Sequence, residues 1–119
     1  MKRQSVMLMA VLALVAIGLA LMLRSGETVG IQVTLSDYAI ATSPYEVKRG
    51  DQVTMTIQNV GKVAHELEIE GYDLEVEDIQ PGQTHKLTFK ATRAGTFELV
   101  CHLDDHYQRG MYTTFQVHE

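Results

Sequence analysis

A chain of 119 residues with ten Lys/Arg, fifteen Asp/Glu and a single cysteine has room for one compact domain with one core. Its net charge of −5 argues against nucleic-acid binding and suits cationic partners or metal ions. One cysteine cannot form an intrachain disulfide, and it is too few for an iron–sulfur cluster.

The chain opens with Lys2 and Arg3 and then runs for eighteen residues, Val6 to Leu23, in which only Gly18 is not strongly apolar; Arg24 closes the run. As a helix it would be about 27 Å long at ~1.5 Å per residue, close to the hydrocarbon thickness of a bilayer. It is longer than the apolar core of most signal peptides and ends without a clear small-residue cleavage site. Residues 1–24 are therefore expected to be a retained N-terminal membrane anchor in preference to a removed signal peptide. Lys2 and Arg3 would hold the N-terminus in the cytoplasm, so the remainder would face the periplasm or the cell exterior. Residues 25–30 read as a short tether and residues 31–119 as the folded domain. From Ser25 onward there are seven Lys/Arg against fifteen Asp/Glu, a balance of −8. An unpaired cysteine is a liability in an oxidising compartment unless something occupies it, and metal ligation is one way to do so.

Beyond the tether no helical period persists. Apolar residues alternate with period two, and turn residues interrupt them about every ten positions, the pattern of a sandwich or barrel. Ile31, Val33 and Leu35 alternate first, and Ser36-Asp37 breaks the run. Tyr38 to Ile40 and Tyr45 to Val47 flank Thr42-Ser43-Pro44. Val53, Met55 and Ile57 share a face, followed by the turn Asn59-Val60-Gly61-Lys62. His65, Leu67 and Ile69 then alternate with Glu66, Glu68 and Glu70. Gly71 to Gln83 is the least regular stretch. Leu87 and Phe89 point inward, and Phe97, Leu99 and Cys101 line one face. Met111, Thr113, Phe115 and Val117 finish in phase. Seven or eight short strands with half-buried faces predict an all-β, Greek-key β-sandwich, preceded by one hydrophobic helix.

Parity carries the chemistry. His65 starts a strand and Cys101 ends one, each in the apolar set of its strand, so both should point between the sheets at one pole. The loop from Cys101 to Met111 would curl over that pole and carry His106. One thiolate, two imidazoles and one thioether are the donor types of a mononuclear blue-copper centre, which must serve both soft Cu(I) and harder Cu(II). Zinc prefers four firm tetrahedral ligands, and methionine is a poor one.

The segment Ala94-Gly95-Thr96-Phe97-Glu98-Leu99-Val100-Cys101, with His106 and Gly110-Met111 after it, resembles the ending of the cupredoxin family. Asn59-Val60-Gly61-Lys62-Val63-Ala64-His65-Glu66 resembles that family's upstream histidine segment, and the match runs over nearly all of residues 31–119. The resemblance implies a small type 1 blue-copper protein of plastocyanin or azurin kind, with His65, Cys101, His106 and Met111 as ligands of one copper ion. It also implies that His106 lies near the surface as the exit for the electron. Glu66, following the first histidine, is implied to tie the two ligand segments together. Where many small relatives carry Pro-Gly before the loop histidine, this chain has Asp104-Asp105. Two carboxylates there should favour the oxidised ion and lower the reduction potential.

His102 after Cys101 is similar to the His-Cys-His run of multicopper oxidases, but Val100 replaces the first histidine and no His-x-His pair occurs. Oxygen reduction is therefore not expected, and a binuclear copper-A centre would need a second cysteine. His102 alternates away from Cys101 and should face solvent; His85 shares parity with Leu87 and should be a core histidine; His118 should lie at the surface. Between Glu66 and Asp78 there are seven carboxylates and no Lys or Arg. They either keep the domain soluble or form a dock for a basic redox protein such as a cytochrome. The expected function is non-enzymatic: a monomeric carrier of single electrons outside the cytoplasm, its copper cycling between Cu(I) and Cu(II). The alternative is a periplasmic copper-binding protein that buffers or delivers the metal. A methionine- or histidine-rich segment would favour that alternative, and none follows residue 25.

Overall fold

The computed structural model describes residues 7–15 and 26–119. Residues 7–15 are helical, and among the described residues no helix is long and apolar enough to cross a membrane. The expected anchor, residues 1–24, falls largely on positions 1–6 and 16–24, which lie outside the described residues.

Eight strands follow: β1 (Thr28–Ser36), β2 (Ala39–Thr42), β3 (Gln52–Asn59), β4 (His65–Ile69), β5 (Leu74–Ile79), β6 (Thr84–Lys90), β7 (Gly95–Val100) and β8 (Tyr112–Val117). They form two four-stranded sheets, ordered β2-β1-β3-β6 and β5-β4-β7-β8. The chain crosses between sheets after β3, β5 and β6, as in a Greek-key sandwich. β1 and β3 run parallel and the other pairs antiparallel. β1 begins within the stretch expected to be a tether, because Thr28, Val29 and Gly30 pair in register with Gln52, Val53 and Thr54.

The period-two sets meet between the sheets. Ile31, Leu35, Met55 and Ile57 from the first sheet are fully buried, as are Leu67, Ile69, Leu99 and Phe115 from the second. Removing such side chains from water contributes about 1.5–3 kcal/mol each. The alternation in β3 does not stop at Ile57: it carries Asn59 inward as well, with no exposed surface. Asn59 Nδ2 donates to the carbonyls of Val63 at 2.9 Å and Ile79 at 2.8 Å, and Oδ1 accepts from Gly61 N–H at 2.8 Å. A buried amide with all three bonds made pins the β3–β4 loop over one end of the core.

Two segments differ from the sequence-based expectation. The irregular stretch from Gly71 to Gln83 contains β5. Its pattern is obscured by a bulge: His65 pairs with Ile79 and Leu67 with Val76, so Glu66 faces both Glu77 and Asp78. Asp78, within the bulge, takes the left-handed conformation (φ 51°). Tyr45 to Val47 makes no strand; the neighbouring Lys48 forms one isolated bridge to His118. Val47 is nonetheless fully buried, so its alternation reflected packing without a ladder. His85 is only half-buried, opposite Ile57 on the edge strand β6, and His118 is exposed.

Candidate metal centre

β4 and β7 are antiparallel neighbours, with Glu68 opposite Val100 and Ile69 opposite Leu99. The start of β4 and the end of β7 therefore lie at the same pole, and His65 and Cys101 are both fully buried there. Loop geometry delivers His106. Arg109 N–H reaches the carbonyls of Asp105 and His106, each at 3.1 Å, while Met111 N–H reaches the His106 carbonyl at 3.1 Å. Gly110 turns the chain at φ 94°, a conformation that favours glycine. Cys101 N–H donates to the Met111 carbonyl at 3.1 Å, which closes the loop at its base.

The donor atoms of His65, Cys101 and His106 all lie within 4.8 Å of one another. The two Nδ1 atoms are 3.2 Å apart, and Cys101 Sγ is 3.5 Å from His106 Nδ1. Met111 is fully buried and belongs to the same core cluster as Cys101. Burial pushes the Cys101 thiol up from its ordinary range, and hydrogen bonds from the Glu66 and Leu103 amides partly oppose this. A buried sulfur that accepts the Glu66 amide N–H and lies among imidazole nitrogens is suited to a thiolate held by a cation. This donor set fits copper: soft sulfur with imidazole selects it over the oxygen-seeking cations.

Glu66 bridges the two ligand segments in both directions. Its N–H donates to Cys101 Sγ at 3.4 Å, and its Oε1 accepts from His102 N–H at 2.9 Å. His102 itself points out of the sheet, with its side chain 43% exposed and Nε2 2.9 Å from Glu70 Oε1. That contact, the largest influence, raises the imidazole above its ordinary pKa, with Glu68 adding to the effect.

Three residues that the sequence did not mark also surround the site. Asp37, in the turn between β1 and β2, places Oδ1 2.8 Å from His65 Nε2 and accepts Lys62 N–H on Oδ2 at 2.7 Å. The Lys62 hydrogen bond is the main reason its carboxyl stays below the usual range. Tyr38 lies 4.8 Å from the His106 ring, centroid to centroid. Arg109 stacks its guanidinium 4.4 Å over Tyr38 and binds Asp105 through Nε at 2.9 Å. His106 is 5% exposed, whereas His65, Cys101 and Met111 have no exposed surface. No local pattern marked Asp37 or Tyr38, since each meets a ligand far away in sequence, and Arg109 joins them only through its stack on Tyr38; a polar turn directly after an apolar strand was the one visible signal of the first two.

Comparisons with known proteins agree with this geometry. The model of the cupredoxin-like domain matches residues 5–113. Nitrous-oxide reductase of Stutzerimonas stutzeri is 32% identical over 82 residues, covering 66% of this chain and 13% of that protein. The chain thus spans only about an eighth of the length of the curated relatives it matches. Among solved structures, dithionite-reduced auracyanin from Roseiflexus castenholzii superposes with a TM-score of 0.63 at 18% identity, covering 81% of this chain and 98% of that one. Blue copper oxidase from Nitrosomonas europaea gives 0.62 at 25% identity, covering 77% of this chain and 38% of that one. With its family model matched over most of its length, its eight-stranded sandwich and its buried His-Cys-His cluster, this chain belongs to the cupredoxin-like domain family.

Proposed function

We propose that this protein is a mononuclear blue-copper carrier of single electrons, working outside the cytoplasm and making or breaking no bonds in a substrate. The observation that carries this reading is the convergence of His65, Cys101 and His106 donor atoms within 4.8 Å at a buried pole. Copper, when bound, supplies a one-electron couple; the chain supplies everything else. His65, Cys101 and His106 would hold the ion through two nitrogens and a sulfur, with the buried Met111 as the fourth, weak ligand. The near-complete burial of all four residues supports a sheltered carrier over a protein that exchanges its metal readily. The apolar N-terminal run, with Lys2 and Arg3 before it, supports a site facing the periplasm or cell exterior and tethered to the membrane.

The partner we propose is a basic redox protein such as a cytochrome. Glu66 and Glu68 on β4, Glu70 just beyond its end, and Glu75 and Glu77 on β5 share the outer face of the second sheet. Glu68 and Glu75 lie directly opposite each other. Burial and then repulsion from Glu66, Glu77 and Glu68 raise the Glu75 carboxyl above its usual range. Like charges held this close across strands disfavour the folded state, and a cationic surface docked on them would relieve that repulsion.

The test is to add Cu(II) to the purified apo-protein and record the visible spectrum. An intense thiolate-to-copper band, lost in Cys101→Ser, is expected. A colourless protein that takes up no copper would end the reading. If the copper protein forms, its reduced state should pass electrons to a cytochrome faster than it yields copper to a chelator.

A further inference from the structure

We propose that Asp37 is the positioning residue of this centre, fixing the tautomer and orientation of the His65 imidazole. This rests on His65 being a ligand. The Asp37 carboxylate accepts the Lys62 N–H on Oδ2, and an ionised carboxylate can only accept. Nε2 of His65, 2.8 Å from Oδ1, must therefore carry the proton and donate it. That leaves the lone pair on Nδ1, the atom 3.2 Å from His106 Nδ1 and inside the cluster. With its proton on Nδ1, His65 would offer the cluster no lone pair. The carboxylate cannot swing away, because its other oxygen is tied to Lys62 N–H at 2.7 Å.

The loop between β3 and β4 is shaped to admit this carboxylate. A Cβ at Gly61 would collide with Oδ1 of Asp37 and crowd Oδ1 of Asn59 at 3.1 Å. Gly61 is thus a gap into which Asp37 fits, Asn59 fastens the loop from inside, and Lys62 closes on the second oxygen. The glycine of the Asn59-to-Glu66 segment thereby lets a residue from the β1–β2 turn reach a ligand at the start of β4.

The test compares wild type with Asp37→Ala, Asp37→Asn, Gly61→Ala and the Asp37→Ala/Gly61→Ala pair. In the metal-free protein, two-bond nitrogen–proton NMR at one alkaline pH, where the rings are neutral, reports the tautomer of each histidine. Wild type should show His65 protonated at Nε2 alone. Asp37→Ala and Gly61→Ala should both populate the Nδ1–H form, the second although its carboxylate is intact. Copper affinity, measured by chelator competition, should fall about 10–100-fold in both. The pair should bind no worse than Asp37→Ala, because removing the carboxylate also removes the collision. Asp37→Asn keeps one acceptor where two are needed, so it should fall between wild type and Asp37→Ala. An unchanged His65 tautomer in Asp37→Ala and Gly61→Ala would overturn the proposal, even if both melt earlier. Should Asp37→Ala fail to fold, Gly61→Ala and Asp37→Asn carry the same comparison. The NMR arm needs no copper. A protein that binds none yet shows the tautomer shift would therefore refute the copper reading while upholding the role of Asp37.

Discussion

Asn59→Ala tests whether a single buried amide holds the ligand pole together. Asn59 is fully buried and makes three side-chain hydrogen bonds, to Val63, Ile79 and Gly61, at 2.8–2.9 Å. At a net ~1 kcal/mol each, their loss costs about 3 kcal/mol. The Ile79 carbonyl bond is itself buried, and leaving that acceptor without a donor adds about 1 kcal/mol or more. The Val63 and Gly61 groups are nearer solvent and water can replace their partner, so they count at the low end. The sum is about 3–4 kcal/mol, a large share of the roughly 5–15 kcal/mol that holds a domain folded. Equilibrium urea unfolding of the metal-free protein should show this as a lowered midpoint with an unchanged slope. Thermal unfolding should fall by about 15–30 °C for a domain of this size. A loss below about 1 kcal/mol would refute the reasoning, because it would mean that water replaces all three bonds and the loop needs no internal fastener.

The two carboxylates before His106 should not act equally. Asp105 is paired with Arg109 at 2.9 Å, which also holds its carboxyl below the usual range, so its charge is already countered. Asp104→Asn should therefore raise the reduction potential of the copper protein more than Asp105→Asn does, as read by voltammetry; the reverse order would show that the ion pair does not hold in solution. Docking on the acidic sheet face predicts a salt-dependent rate. Electron transfer to a basic cytochrome should slow on the order of tenfold as ionic strength rises from ~0.01 to ~0.15 M and the Debye length contracts from about 30 to about 8 Å. A rate that does not fall in stopped-flow mixing would assign those carboxylates to solubility alone.

The sandwich was legible because burial in a sheet leaves a period-two record. Val53, Met55 and Ile57, or Phe97, Leu99 and Cys101, announce a face without any knowledge of their partners. The same arithmetic turned His65 and Cys101 inward, and both are fully buried. β5 was hidden because a bulge shifts the phase at Glu66, and because an edge strand with one wet face can carry Glu75, Glu77 and Asp78. Tyr45 to Val47 misled for the opposite reason: a buried side chain can alternate with exposed ones in a segment that forms no ladder.

The sequence by itself determined the donor types, the parity that aims two of them inward, and the surplus of carboxylates. These are local properties, set by side-chain chemistry and the backbone repeat. Tertiary structure decided what surrounds the donors. Asp37 reaches His65 from the β1–β2 turn through the space that Gly61 leaves, and Tyr38 packs on the His106 ring while Arg109, distant in sequence, stacks on Tyr38. Contacts between residues 28 or 71 positions apart depend on how two sheets and three loops meet, and a one-dimensional pattern does not record that meeting.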